Sequence, residues 1–267
     1  MNKNIIFWIA GVVFAVAGWW IWQSGYSGAD RPIADFKEAV YEINGREMRL
    51  EGEADPETKM NAYYFGNEAS GDLNGDGLDD VIFLLTLDGG GSGTFFYVAA
   101  ALKTADGYAG QNAVFLGDRI APQTTEIFNG IVYVNYAERK ENDPMTTRPS
   151  VGVTKYLNFS GGALAEIIIQ AGEQLMWGNI VMGHEVRSFR SCQGNHEYWI
   201  MGDSPAYKKI ADSYQELLPA GSKPYTPIFG ALIGRIVKSP VDGFGADYDN
   251  ALSAREIISA SPTGRCR

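Results

Sequence analysis

The chain reads as a mainly β protein: a membrane-anchored, β-rich domain built around a calcium loop, followed by a small barrel carrying one helix. Three observations predict this class. Short apolar runs alternate with Gly, Asn and Asp turns along most of the chain, and 32 Gly, 14 Tyr and 13 Phe suit short strands joined by tight turns. Beyond the N-terminal apolar run, the clearest helical spacing lies in Ser204 to Leu218. Asp72 to Asp80 (DLNGDGLDD) then runs directly into the apolar stretch Val81 to Leu87.

Taken in order, Ile5 to Trp22 (IIFWIAGVVFAVAGWWIW) is uncharged, and Trp19, Trp20 and Trp22 gather at its far end. Eighteen residues rise about 27 Å as a helix, close to a bilayer core of roughly 30 Å, and indole rings prefer the interface. Residues 1–28 therefore read as a transmembrane anchor or signal segment. A cleaved signal peptide is the competing account, with weak small-x-small sites near Gly25 to Ala29 and no lipobox cysteine. A retained anchor places nearly all of the chain on the periplasmic or extracellular side. Cys192 and Cys266 are the two cysteines, and in an oxidising setting they are compatible with one disulfide. Spacing alone leaves their pairing open.

Residues 33–165 form the expected calcium-loop domain. Phe36 to Ile43 and Arg46 to Leu50 flank Asn44-Gly45, the pattern of a hairpin with a two-residue turn. Tyr63 and Tyr64 begin a short strand leading to the loop. The runs Val81 to Leu87 and Phe95 to Leu102 are nearly continuous apolar segments and belong at the centre of a sheet. Ala113 to Leu116 and Gln123 to Phe128 are weaker strands, followed by Ile131 to Tyr136 and Val151 to Phe159.

Residues 173–261 form the expected barrel. Met176 to Val181, His184 to Phe189 and Glu197 to Met201 are strands. Ser204 and Pro205 supply an N-cap and a first-turn proline for a helix to Leu218, and Ile210, Tyr214, Leu217 and Leu218 form its apolar face. Pro227 to Val237 and Leu252 to Ile258 complete the set, with glycines marking bends in the former. Short strands with one inserted helix fit a small closed barrel better than a doubly wound sheet.

The loop carries the chemistry. Asp72, Asn74, Asp76 and Asp80 occupy positions 1, 3, 5 and 9, Leu78 at position 7 offers a backbone carbonyl, and Gly77 at position 6 permits the sharp turn. Hard oxygen donors at this spacing predict calcium. Position 12 is Phe83 and a strand follows, so the loop is not an EF-hand. Glu68 offers one further oxygen, and Asp79 is expected to face outward. Extracellular loops of this kind bind with dissociation constants of roughly 10⁻⁴ to 10⁻³ M.

Other patterns have ordinary roles beside their chemical ones. Gly89 to Gly93 lacks the lysine of a phosphate-binding loop. His184 and His196, each followed by a glutamate, admit a metal site but equally suit packed or surface positions. Ser191, Cys192 and His196 can be drawn as a catalytic cluster, without a nucleophile-elbow pattern to support it. Tyr198 and Trp199 mark either a binding face or core. A formal charge of −10 without a basic stripe argues against nucleic-acid binding.

Two stretches resemble known groups. Tyr64 to Pro149, with GTFFYV at Gly93, LGDRIAPQT at Leu116 and VNYA at Val134, resembles a group of bacterial exported proteins of unknown function. Gly183 to Cys192, Tyr198 to Ile200, the Tyr207 to Leu218 helix, Gly230 to Val237 and Leu252 to Ile258 resemble the C-terminal OB-like domain of the NlpE lipoprotein family. That resemblance implies an OB-like barrel and an envelope location, in a family associated with copper homeostasis and surface sensing. The family's lipidated cysteine and its two-cysteine motif are absent here, so copper handling does not carry over. The expectation is an extracytoplasmic calcium-binding structural, sensing or interaction protein whose partner is an envelope component or protein, attached to the membrane through its N-terminal helix. The alternative is an envelope hydrolase with a structural calcium site.

Overall fold

The computed structural model describes residues 33–52 and 54–266. Its first half contains a six-stranded sheet in the order β2-β1-β6-β5-β4-β3 and a four-stranded sheet in the order β10-β9-β8-β7. The strands are β1 (Val40–Ile43), β2 (Arg46–Arg49), β3 (Asn61–Gly71), β4 (Asp80–Asp88), β5 (Phe95–Thr104), β6 (Gly107–Asp118), β7 (Ala121–Phe128), β8 (Ile131–Glu138), β9 (Val151–Ser160) and β10 (Ala163–Glu166).

The expected hairpin forms between β1 and β2, with Asn44 and Gly45 at φ 53° and 75°. It starts later than the apolar pattern suggested. Phe36–Glu38 makes a 3-10 turn, capped by the Asp35 side chain accepting from the Lys37 N–H. Gly110 lets β1 reach β6, because a Cβ there would lie 2.1 Å from the Val40 carbonyl oxygen. A bridge from Leu50 to Ala62 then brings the β2 end toward β3, so the sheet curls over its own core.

β4 and β5 are buried on both faces, which accounts for their continuous apolar sequence. Phe83, Leu85, Tyr97 and Ala99 point with Tyr41 into the curl, while Ile82, Leu84, Phe96 and Val98 face Val132, Val134 and Leu157 of the second sheet. The first half is thus a sheet packed on a sheet, with the curled hairpin closing one side.

The second half is a closed barrel in the order β11-β12-β13-β15-β14. Its strands are β11 (Gln174–Met182), β12 (Arg187–Ser191), β13 (Glu197–Ile200), β14 (Ile228–Lys238) and β15 (Asn250–Ser261), with helix α1 (Tyr207–Leu217) between the third and fourth. In barrel numbering this order is 1-2-3-5-4, β13 and β15 run parallel, and one helix is inserted, so the barrel is OB-like. Ile210 and Tyr214 of α1 pack into a core with Ile180, Phe189, Leu232 and Leu252. Ser204 and Pro205 form a turn rather than the first turn of the helix: Ser204 Oγ donates to the Met201 carbonyl, and the N-cap is Ala206. β14 bends at Ala231/Leu232 and Ile233/Gly234.

Cys192 and Cys266 are joined, which ties the C-terminal tail to the end of β12. Trp177 of β11 sits on the seam between the two halves. Its ring stacks on Phe229 at 5.7 Å, meets Phe128 edge-on at 5.0 Å, and its Nε1–H donates to the Tyr133 hydroxyl.

Membrane attachment through an N-terminal helix is corrected. No helix among the described residues is long and apolar enough to cross a membrane, since the 11 residues of α1 rise only about 16 Å and present one polar face. The segment Ile5 to Trp22 lies outside the described residues. The membrane and signal-anchor reading, and the membrane as a partner, are accordingly withdrawn.

Candidate metal centre

β3 ends at Gly71 and β4 begins at Asp80, its pairing partner, so the strand pair holds the two ends of the Asp72 to Asp79 turn together. Inside the turn the side chains fold back on the main chain. Asp72 accepts from the Gly75 N–H at 2.7 Å and the Gly77 N–H at 3.0 Å. Asn74 accepts from the Asp76 N–H at 3.0 Å, and Asp76 accepts from the Leu78 N–H at 2.8 Å. Gly75 and Gly77 take φ of 82° and 84°, a conformation that costs other L-residues free energy.

Asp80 is different, being fully buried. One carboxylate oxygen accepts from the Leu73 N–H at 2.9 Å and the other from the Lys103 N–H at 2.8 Å, so the side chain staples the turn, β4 and β5 together. Burial above all, and then repulsion from Asp76 and Asp72, hold its carboxyl above the usual range, against the lowering effect of the two backbone bonds. Among the described residues, no Lys or Arg forms an ion pair with Asp72, Asp76 or Asp80.

The donor chemistry fits a hard cation such as calcium: carboxylate oxygens from Asp72, Asp76 and Asp80, the Asn74 amide and the Leu78 main-chain carbonyl. Among the described residues no three His, Cys, Asp or Glu side chains come together as a metal cluster, so Asp72, Asp76 and Asp80 share one turn without converging on a common point. The Asn74 Nδ2 donates to Asp76 at 3.0 Å, and an ion would require that amide to present its oxygen instead. Glu68 is engaged elsewhere, accepting from the Tyr64 hydroxyl and lying 3.8 Å from Lys37 Nζ. Asp79 is exposed.

The turn also forms one wall of a cleft of about 510 Å³ between the two halves. Asp72 to Gly75 face Trp177, Phe229 and the end of β15 at Ile258 to Ser261, with Asn129 and Asn158 between them. Sequence spacing located the loop, but this position against the barrel depends on contacts far apart in the chain.

The remaining candidates are placed apart. Cys192 is a disulfide partner, and the buried Ser191 Oγ accepts from the Gln193 N–H. Ser191 and His196 are linked through the main chain, the Ser191 N–H donating to the His196 carbonyl. His184 and Glu185 both precede β12, which begins at Arg187 rather than at His184. Trp199 is buried against Tyr248, at 5.5 Å between ring centroids. Asp88 accepts from the Gly90 N–H within the Gly-rich loop.

No protein-family model matches the chain, and no curated protein matches it. Among solved structures it is similar to the crystal structure of the Cpx pathway activator NlpE from Escherichia coli, with 11% identity over 76% of this chain and 98% of that one, and a TM-score of 0.26. That likeness is weak and partial, and the OB-like character of the barrel rests on its own strand order. The chain is a mostly β protein with a closed, OB-like five-stranded barrel beside one helix.

Proposed function

We propose that this protein is an extracytoplasmic structural or interaction module of the bacterial envelope whose first domain is stabilised by a calcium ion at Asp72, Asn74, Asp76, Leu78 and Asp80. One observation carries the reading: Asp72, Asp76 and the buried Asp80 belong to a single turn, burial and then repulsion from the other two raise the Asp80 pKa, and among the described residues no cationic side chain forms an ion pair with them. A divalent cation reverses that repulsion and holds the turn in one conformation. The ion's contribution is charge neutralisation and cross-linking of the loop. The chain contributes the preformed turn, the Asp80 staple and the seam against the barrel.

The disulfide supports an oxidising compartment, where millimolar calcium sustains even a weak site. The reading divides the chain into a calcium-loop domain over residues 33–165 and an OB-like domain over 173–261, with the partner an envelope component or protein. Calorimetric titration of chelator-treated full-length protein with calcium tests it. Saturable binding near one ion per chain, lost in Asp76→Ala, is expected. Absence of binding by the wild-type protein contradicts it.

A further inference from the structure

A second cavity, of about 390 Å³, opens on the barrel away from the calcium loop. Its walls are Arg187 at the start of β12, Trp199 of β13, His184, and the connection from β14 to β15 at Pro240, Asp242 and Phe244. Arg187 is held flat, its guanidinium carbon 4.5 Å from the Trp199 ring centroid and 5.3 Å from that of Tyr207. Gly202 makes room for it, since a Cβ there would lie 2.5 Å from one terminal guanidinium nitrogen.

This guanidinium is positioned but unpaired. Its Nε is buried with no hydrogen-bond partner, and among the described residues no carboxylate forms an ion pair with it. Arg190, three residues along, has by contrast a partner in Glu197 at 2.8 Å. Leaving buried guanidinium donors unmet costs free energy that a bound acceptor would recover. The rim carries an exposed ring, Phe244, beside Pro240.

We propose that this cavity binds the carboxylate of an apolar compound, with Arg187 as its anchor. A planar carboxylate matches the guanidinium fork with two oxygens. A single negative charge also suits the surroundings better than a phosphate dianion, because Asp242 lines the same cavity and the chain carries a net charge of −10. Phe244 and Pro240 cover the apolar group. Two sources share this chemistry, a peptide C-terminus ending in apolar residues and a small apolar acid. The site uses no group of the calcium loop.

The test is a titration of the full-length protein, followed through the Arg187 Nε–H and Trp199 indole N–H resonances. The probes are acetyl-Leu-Phe with a free carboxylate, its C-terminal amide, and phenylpropionate. The free acid shifts both resonances saturably and binds about 10-fold or more tightly than the amide, the effect of one charge-assisted pair. Arg187→Lys, which keeps the charge and loses the fork, weakens the acid, and Asp242→Asn, which removes the opposing carboxylate, strengthens it. Tighter binding of the peptide than of phenylpropionate assigns the source to a peptide terminus, and equal binding assigns it to apolar acids generally. Equal affinity for acid and amide, no movement of the Arg187 resonance, or undiminished binding by Arg187→Lys each overturns the proposal. The same affinities in chelator keep this result separate from the fate of the calcium reading.

Discussion

At Asp80 both carboxylate oxygens already hold main-chain N–H groups, from Leu73 and Lys103, in a position with no exposure to water. Asp76 is exposed and accepts from the Leu78 N–H and the Asn74 Nδ2, both within its own turn. The two acids of one motif therefore fail differently. Asp80→Ala strands two N–H groups and is expected to cost about 2–6 kcal/mol in urea unfolding with or without calcium, at 1–3 kcal/mol for each unmet group. Asp76→Ala is expected to change stability little in chelator and to remove the response to calcium. The pH dependence follows from the raised carboxyl of Asp80. Without calcium, the contribution of its protonated form is present below the unfolded pKa of about 3.9 and is lost as pH rises through the higher folded value. Calcium requires the ionised form, so its stabilising effect should shrink as pH falls from neutral through that raised folded value, measured as the gain in Tm at each pH. An unchanged gain would remove Asp80 from the ion's ligands.

The strands that were plain in the sequence are those whose burial dictates their composition. β4 and β5 are apolar on both faces because each face meets a separate core, through Phe83 and Leu85 on one side and Ile82 and Leu84 on the other. β10 escaped notice because its four residues, Ala163–Glu166, carry too short a pattern, and pairing with β9 makes them a strand. The helix start was misplaced because Ser204 turns its hydroxyl back to Met201 instead of capping α1. For the proposed calcium loop, the spacing of the oxygens was legible from local order alone. The Asp80 bond to Lys103, 23 residues away, was not. The same distance in sequence hid the Arg187 cavity, which draws on β12, β13 and the β14 to β15 connection. The disulfide was left open by spacing and is settled by the approach of the barrel's last residues to β12. It closes a separation of 74 residues. Replacing both cysteines by serine is expected to cost roughly 4 kcal/mol in denaturant unfolding.

Across the whole molecule, the sandwich and the barrel meet through a small apolar core of Ile131, Ile167, Trp177, Phe229 and Ile233, with Arg255 tying β15 to Glu173 at 3.0 Å and to the Ile168 carbonyl at 2.6 Å. Trp177 is the largest member and the one with a polar bond across the seam. Trp177→Ala is expected to cost about 3–5 kcal/mol and to split a single calorimetric transition into two, one for each half. A single transition at unchanged temperature would show that the seam couples nothing. The Asp72 to Asp79 turn lines the cleft along this same seam, so fixing it bears on both halves. The most direct measurement is thermal unfolding of the full-length protein in chelator and in about 1 mM calcium, beside Asp76→Ala. Calcium should raise the Tm of the wild-type protein and leave the variant unmoved, because an ion bound only by the folded state stabilises it by mass action. Equal transitions in chelator and calcium for the wild-type protein would contradict a structural calcium site.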